Sequence, residues 1–147
     1  MTPTQAPRTP ALVPAVGVIA VGGAVGSLLR YELEKAITPP HNGFPVATLL
    51  INLLGSLLLG ALVVAVTETW TAHPLVRPAL GTGVLGGFTT FSTFAVEVRG
   101  SSAGVASAYL AASLAGGVVA AALGMWLVRA WFGRGAVEPA VVDPDLP

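Results

Sequence analysis

Long apolar runs alternate with short polar or proline-containing stretches along the whole chain. Runs of about 20 apolar residues have the length of a membrane-spanning helix. The pattern predicts four such helices between disordered tails at 1–12 and 133–147, namely at about 13–34, 44–66, 75–98 and 104–131. A signal peptide is the alternative for the first run, but the length of the run and the lack of a clean cleavage site favour a retained helix. We therefore expect an all-α integral membrane protein.

The third run contains a stretch that is a poor helix, Gly-Gly-Phe-Thr-Thr-Phe-Ser-Thr-Phe at 86–94. Each glycine costs about 1 kcal/mol relative to alanine in a helix, and hydroxyl side chains compete for backbone hydrogen bonds. The stretch therefore predicts that the third helix is broken mid-membrane. Unwound backbone is tolerated at that depth only inside protein or beside a polar cavity, and in transporters it marks the ion or substrate site.

Polar side chains recur at helical spacing in the second and fourth runs. Thr48, Asn52 and Ser56 are four residues apart, so they share one helix face. Tyr109 and Ser113 form a second polar face in the fourth run. An amide near the middle of a span is costly to leave facing lipid, so we expect the first face to line a watery path. The alternative is that Asn52 joins two helices by hydrogen bonding.

Two further patterns concern the shape of helix surfaces. Phe91 and Phe94 are three residues apart and share a face if the second half of the third run is helical. A phenyl ring has a positive edge that can contact an anion, although ordinary packing is the alternative.

Small residues recur at Gly22-x-x-x-Gly26 and at 116, 120 and 124. Such spacing lets another helix approach closely.

Composition supports the membrane interpretation and narrows the partners. The 147 residues are 54% hydrophobic and 10% charged, whereas a soluble domain carries about 25% charged residues. A net charge of zero gives no electrostatic case for nucleic acid, and the absence of cysteine excludes disulfides and thiolate chemistry.

Of the seven Lys and Arg residues, four fall on the side that holds both predicted termini and three on the other. This balance predicts insertion in both orientations, and hence an antiparallel dimer.

The available side chains argue against an enzyme. His41 and His73 lie in loops, with no carboxylate or second histidine at ligand spacing. No acidic residue falls in the middle of a run, which argues against a proton-coupled small-molecule exporter, since such exporters usually carry the proton on a buried carboxylate. Hydroxyls, an amide and phenyl edges remain, and these groups suit a small, strongly hydrated anion. The residues thus predict an anion channel or carrier, whereas a non-transporting scaffold leaves the polar faces unexplained.

Three motifs together resemble the CrcB/Fluc family of fluoride channels. They lie at 23–31, at 48–56 and, most specifically, at 86–94, and the likeness covers roughly residues 14–132. The resemblance implies a dual-topology homodimer in the inner (plasma) membrane of the cell, with two antiparallel pores that export fluoride passively from the cytoplasm. A proton-coupled small-molecule exporter of dual topology is kept as the alternative function.

The resemblance also implies roles for particular residues. The fluoride pores would be lined from both subunits by Asn52, Phe91, Phe94, Thr90, Ser92, Thr93, Tyr109 and Ser113. A structural Na⁺ at the dimer centre would be bound by backbone carbonyls of Gly86 and Thr89, since a hard cation prefers oxygen. Arg30 resembles the basic residue of the aqueous vestibule, the alternative being an interfacial anchor whose guanidinium reaches toward the headgroups. Gly117 departs from the family pattern, in which a further hydroxyl is often found there.

Overall fold

The computed structural model describes residues 12–37, 43–70 and 72–132, and every regular element in these ranges is helical. Helix α1 is Leu12–Ala36, and α2 is Val46–Val64, which continues as a π-helical turn at Ala65–Thr69. Helix α3 is π-helical over Arg77–Leu85 and continues as an α-helix at Gly86–Phe88. Helix α4 is Phe91–Gly100 and α5 is Ala103–Phe132. The predicted tails, apart from Leu12, lie outside the described residues.

Four stretches of helix are long and apolar enough to cross a membrane: Leu12–Ala36, Val46–Thr69, Arg77–Gly100 and Ala103–Phe132. The all-helical architecture with four membrane-spanning segments predicted from the hydrophobic pattern is therefore confirmed. Most large apolar side chains point outward, and the few that are fully buried include Ile51, Val64 and Tyr109. An apolar exterior of this kind suits lipid rather than water. The chain is a multi-pass membrane protein.

Two residues with extended backbone separate α3 from α4. Thr89 (φ −78°, ψ 159°) and Thr90 (φ −144°, ψ 125°) have extended torsions between two helical segments. The hydroxyl Oγ1 of Thr90 then accepts the backbone N–H of Thr93 at 3.2 Å and so caps the start of α4. We call Thr89 and Thr90 the junction. Pro78 lies in the first turn of α3, where its missing N–H costs no helical hydrogen bond.

The π-helical winding of α3 was not predicted. Over nine mostly small residues, the hydrophobic pattern cannot distinguish a wider helix from an ordinary α-helix. The backbone N–H of Gly86 donates to the carbonyl of Gly81, five residues earlier, so the wide turn extends to the first residue of the α-helical part. Such turns are frequent at functional sites in membrane and soluble helices.

The helices pack as two close pairs. A Cβ on Gly124 of α5 would overlap the carbonyl of Leu57 in α2, so these backbones touch. Helices α1 and α3 approach in the same way, because a Cβ on Gly26 would overlap the carbonyl of Val84 and one on Gly22 would lie 2.6 Å from that of Ala79. The close approach predicted from the small residues is thus confirmed in both pairs.

Candidate functional site

An open groove of about 350 Å³ lies beside the junction, between α2, α3 and α5. The sequence had predicted functional residues on three different runs, and the fold brings most of them to this groove. Its polar and aromatic lining consists of Asn52, Ser56, Thr89, Thr90, Phe91, Phe94 and Ser113, with the backbone of Gly86 at one edge. Ser92, Thr93, Tyr109 and Arg30 do not line it.

Asn52 fixes the path of the chain at the junction. Its Oδ1 accepts the backbone N–H of Thr90 at 2.9 Å, and its Nδ2 donates to the carbonyl of Thr90 at 3.0 Å. The amide therefore supplies both partners that an uninterrupted helix would have given this residue. The same bonds hold α2 against the junction, and Asn52 keeps one further N–H for another acceptor.

The two carbonyls predicted as cation ligands have lost their usual donors. In a continuous α-helix the carbonyl of residue i accepts the N–H of residue i+4. The N–H that would serve Gly86 belongs to Thr90 and is taken by Asn52. The N–H that would serve Thr89 belongs to Thr93 and is taken by the hydroxyl of Thr90. The N–H groups that would serve both carbonyls in a continuous helix are thus engaged elsewhere, and Gly86 is exposed.

The hydroxyl of Thr90 lies within hydrogen-bond distance of the two hydroxyls that follow the junction. Oγ1 of Thr90 lies 3.1 Å from Oγ1 of Thr93, to which it donates, and 3.3 Å from Oγ of Ser92. Thr90 is buried, while Ser92 is exposed and lies outside the groove. Of the three hydroxyl residues predicted here, the structure therefore places Thr90 at the groove and uses Ser92 and Thr93 to support it.

Ser113 presents an unpartnered hydroxyl at the groove. Its Oγ is buried and has no hydrogen-bond partner among the described residues. Ser56 of α2 lies opposite the same stretch of α5, because a Cβ built on Gly117 would be 3.6 Å from its Oγ. A hydroxyl from α2 therefore lies close to position 117, where the family pattern leads one to expect a hydroxyl. An unsatisfied buried donor in a groove is a candidate ligand for an anion.

Aromatic rings continue from the groove toward one end of the bundle. The ring centroids of Phe91 and Phe94 are 5.8 Å apart, and those of Phe94 and Tyr109 are 5.1 Å apart. Phe44 meets Tyr109 edge to face at 5.7 Å. Phe91 is 79% exposed, whereas Tyr109 is fully buried. Phe94 therefore joins the open groove to a closed aromatic cluster.

A carboxylate at the end of this ring series escaped the sequence analysis. Glu97 accepts hydrogen bonds from the hydroxyls of Thr48 at 2.8 Å and Tyr109 at 2.9 Å. Helical spacing places Glu97 on the face of Phe94 and Thr48 on the face of Asn52, but it does not indicate that Glu97 and Thr48 meet. The hydroxyl of Tyr109, predicted to serve the pore, is engaged with Glu97 here.

Arg30 lies on the opposite side of the junction. Its Nε donates to the carbonyl of Gly87 at 3.4 Å, and its Nη1 is 3.4 Å from the carboxylate of Glu34. Ser27, one turn earlier on α1, donates to the same carbonyl at 3.4 Å. Neither of the two roles considered for Arg30, a vestibule cation or an interfacial anchor, describes a contact with the backbone beside the junction.

In membrane transport proteins, the ion or substrate site typically lies beside irregular helix segments of this kind. Residues 17–125 match the family model described as CrcB-like protein, Camphor Resistance (CrcB). Since this match covers well over half of the chain, the protein belongs to the CrcB family.

Several relatives share this family and carry more specific names. The chain is 45% identical over 105 residues to "Fluoride-specific ion channel FluC 2" of Streptomyces avermitilis, covering 69% of this chain and 66% of that one. It is 43% identical over 120 residues to "Fluoride-specific ion channel FluC 1" of Streptomyces coelicolor, covering 79% and 78% respectively. It is 46% identical over 112 residues to the FluC of Deinococcus radiodurans, covering 72% and 88%. The resemblance noted in the sequence is therefore confirmed at the level of the family.

Proposed function

We propose that this protein is a fluoride channel that exports the ion passively from the cytoplasm across the plasma membrane. Two independent observations support this proposal, the names of the relatives and the lining of the groove. Relatives that are 43–46% identical are named fluoride-specific ion channels. The observation that carries the proposal is the unpartnered, buried hydroxyl of Ser113 in a groove that also holds the rings of Phe91 and Phe94. Passive export of fluoride would reduce its toxicity inside the cell.

The groove offers what a dehydrating anion requires. Fluoride binds water strongly, so it sheds water only where other donors take its place, and those donors must not hold it too firmly. The hydroxyl of Ser113 and the spare N–H of Asn52 are strong donors with a free position. The positive edges of Phe91 and Phe94 are weaker partners that assist release. Thr90 links these donors to the phenyl rings along the chain, and the hydroxyls of Ser92 and Thr93 support its side chain.

We further propose that a second, antiparallel copy covers the groove, giving a homodimer with two pores. Gly86 is exposed and its carbonyl has lost its helical donor, near the middle of a span of 24 residues. Backbone oxygens without partners are not tolerated against lipid, so protein or water must cover them. The exposed ring of Phe91 lies beside them. A second copy covers the carbonyls, shares the phenyl rings and encloses the path.

A structural Na⁺ at the dimer centre fits the donor set. The carbonyls of Gly86 and Thr89 are free of their helical N–H partners, and oxygen-only coordination by unwound backbone suits Na⁺. The carbonyls of Gly86 and Thr89 in each copy would hold the cation, which would supply a positive charge between the two junctions. In each copy, Asn52 and the Thr90 hydroxyl keep those carbonyls available by retaining the competing N–H groups.

The test is fluoride efflux from liposomes that contain the purified protein, with valinomycin to control the voltage and chloride efflux measured in parallel. We expect fast fluoride efflux without chloride efflux and without a proton gradient. Phe94→Ile should leave a folded protein with efflux reduced at least about tenfold, because it removes the ring that joins the groove to Tyr109. Phe132→Ile, at the exposed end of α5, is the matched control and should retain efflux.

Glu97 favours a second candidate function, the proton-coupled small-molecule exporter. It is a half-buried carboxylate within the third span, held by two hydroxyls. Fluoride movement that persists when the pH is equal on both sides supports the channel. Transport that requires a pH gradient and is lost in Glu97→Gln supports the exporter instead.

For the Phe94→Ile variant, unchanged fluoride efflux in a folded protein would remove the phenyl ring from the mechanism.

A further inference from the structure

We propose that Arg30, together with Ser27, is a positioning residue that holds the junction so that its carbonyls can bind Na⁺, rather than a charge that attracts the permeating anion. This inference rests on the sodium site of the proposed function. It concerns a contact that lies outside the groove, on the side of the junction that faces α1.

The carbonyl of Gly87 is the point of contact. In a continuous helix it would accept the N–H of Phe91, but Phe91 lies beyond the extended residues of the junction. Nε of Arg30 and Oγ of Ser27 both donate to this oxygen instead, each at 3.4 Å. Gly87 follows Gly86 directly, so fixing its carbonyl restrains the peptide that carries the first proposed sodium ligand.

The glycine contacts between α1 and α3 explain why these two side chains reach the carbonyl. A Cβ on Gly26 would overlap the carbonyl of Val84 and lie 2.9 Å from the nitrogen of Phe88. A Cβ on Gly87 would overlap the carbonyl of Gly23. The two backbones are therefore in contact immediately before Ser27 and Arg30, which are three residues apart and share a face of α1.

The surroundings of Arg30 argue against an anion-attracting role in this arrangement. Its side chain is only 25% exposed and its Nη1 pairs with Glu34 at 3.4 Å, so its charge is balanced locally. A guanidinium can bind a carbonyl through Nε and a carboxylate through Nη1 at once, because its donors are fixed in a plane. Glu34 thus orients the group, and the same pairing reduces repulsion between Arg30 and a bound Na⁺.

Lysine separates the two roles, because it keeps the charge without the planar pair of donors. The experiment measures the fraction of purified protein that stays folded in detergent at one fixed temperature, just above the melting temperature without Na⁺, as NaCl replaces N-methyl-D-glucamine chloride. A ligand that binds the folded state raises the melting temperature according to its concentration. We expect Arg30→Lys and Arg30→Gln each to raise the Na⁺ concentration for half-maximal stabilisation by about tenfold, the typical effect of a residue that orients a metal ligand.

Lys35→Gln is the matched control. Lys35 is also a cation of α1, but it is exposed and pairs with Glu32 at 3.4 Å, away from the junction. Its removal should leave the Na⁺ midpoint unchanged. Ser27→Ala deletes one of the two donors and should shift the midpoint by about threefold in the same direction. If the Arg30 variants do not fold, the Ser27→Ala variant tests the inference in their place.

Three results would overturn the inference. The first is no stabilisation of the wild-type protein by Na⁺. The second is a wild-type Na⁺ midpoint in the Arg30 variants. The third is fluoride efflux that is retained in Arg30→Lys but lost in Arg30→Gln with no change in Na⁺ response, which would assign a purely electrostatic role. Because fluoride is absent from the melting experiment, wild-type stabilisation by Na⁺ without any fluoride efflux would reject the proposed function and leave the inference standing.

Discussion

The two sides of the junction are built in opposite ways. Toward α1 the side is closed: glycines bring the backbones of α1 and α3 into contact, and Ser27 and Arg30 take up the carbonyl of Gly87. Toward α2 and α5 the side is open: a groove remains, and the hydroxyl of Ser113 has no partner in it. The difference teaches that α1 closes over one side of the junction, whereas the other side, where Asn52 holds Thr90, keeps a groove with an unpartnered hydroxyl.

The largest effect is expected on the closed side, from Gly26→Ala. The added Cβ would overlap the carbonyl of Val84, and backbone cannot move aside as a flexible side chain does. We expect a loss of at least about 3 kcal/mol of stability, the upper end of the cost of overpacking, and little protein that elutes as a single species. Melting temperature and size-exclusion chromatography measure the two outcomes.

Gly17→Ala is the control for this prediction. Gly17 lies on the same helix as Gly26, but a Cβ built there would have no neighbour within 4 Å. Alanine is favoured over glycine in a helix by about 1 kcal/mol, so this variant should melt at or above the wild-type temperature. A Gly26→Ala protein that melts like Gly17→Ala would mean that the closed side is not tightly packed.

Asn52→Ala is expected to have the next largest effect, because Asn52 connects the junction to the open side. The substitution leaves the N–H and the carbonyl of Thr90 without their partners. Unsatisfied groups of this kind cost about 1–3 kcal/mol, and we expect a loss of about 2 kcal/mol with fluoride efflux reduced more than tenfold.

The control for Asn52 is Ser56→Ala, which changes a residue of the same helix face that also lines the groove. Ser56 makes no contact with the junction comparable to the two bonds of Asn52, so this variant should keep its melting temperature. Equal melting of the Asn52 and Ser56 variants would show that the junction does not depend on the amide.

The open side could be predicted from the sequence further than the closed side. Regular spacing within one helix places Thr48, Asn52 and Ser56 on one face, and the structure turns all three inward. The same reasoning missed Glu97, whose two hydroxyl donors lie 49 and 12 residues away. Partners on other helices depend on how the helices pack, and helix periodicity carries no information about that.

Arg30 shows the same limit on the closed side. Its position at the end of an apolar run is equally typical of an anchor or of a vestibule charge, and its contact with Gly87 spans 57 residues. The small residues of α1 indicated that some helix approaches closely, but not that this helix is α3. The extended residues Thr89 and Thr90 lie within the stretch that the sequence indicates to be a poor helix, because glycines and hydroxyl residues are locally poor helix formers.

The smallest effect on stability, and the sharpest contrast between the two sides, is expected from Ser113→Ala. Its hydroxyl is buried without a partner, so its removal eliminates a desolvation cost and loses no hydrogen bond. We expect a melting temperature that is unchanged or slightly raised, together with fluoride efflux reduced severalfold. Ser107→Ala on the same helix removes an exposed hydroxyl that donates to the carbonyl of Ala103, and should leave efflux unchanged. A clear loss of stability in Ser113→Ala would reveal a structural partner for this hydroxyl, and full efflux would show that the groove conducts without it. Lowered efflux at full stability is the result expected of a group that is kept free for a ligand.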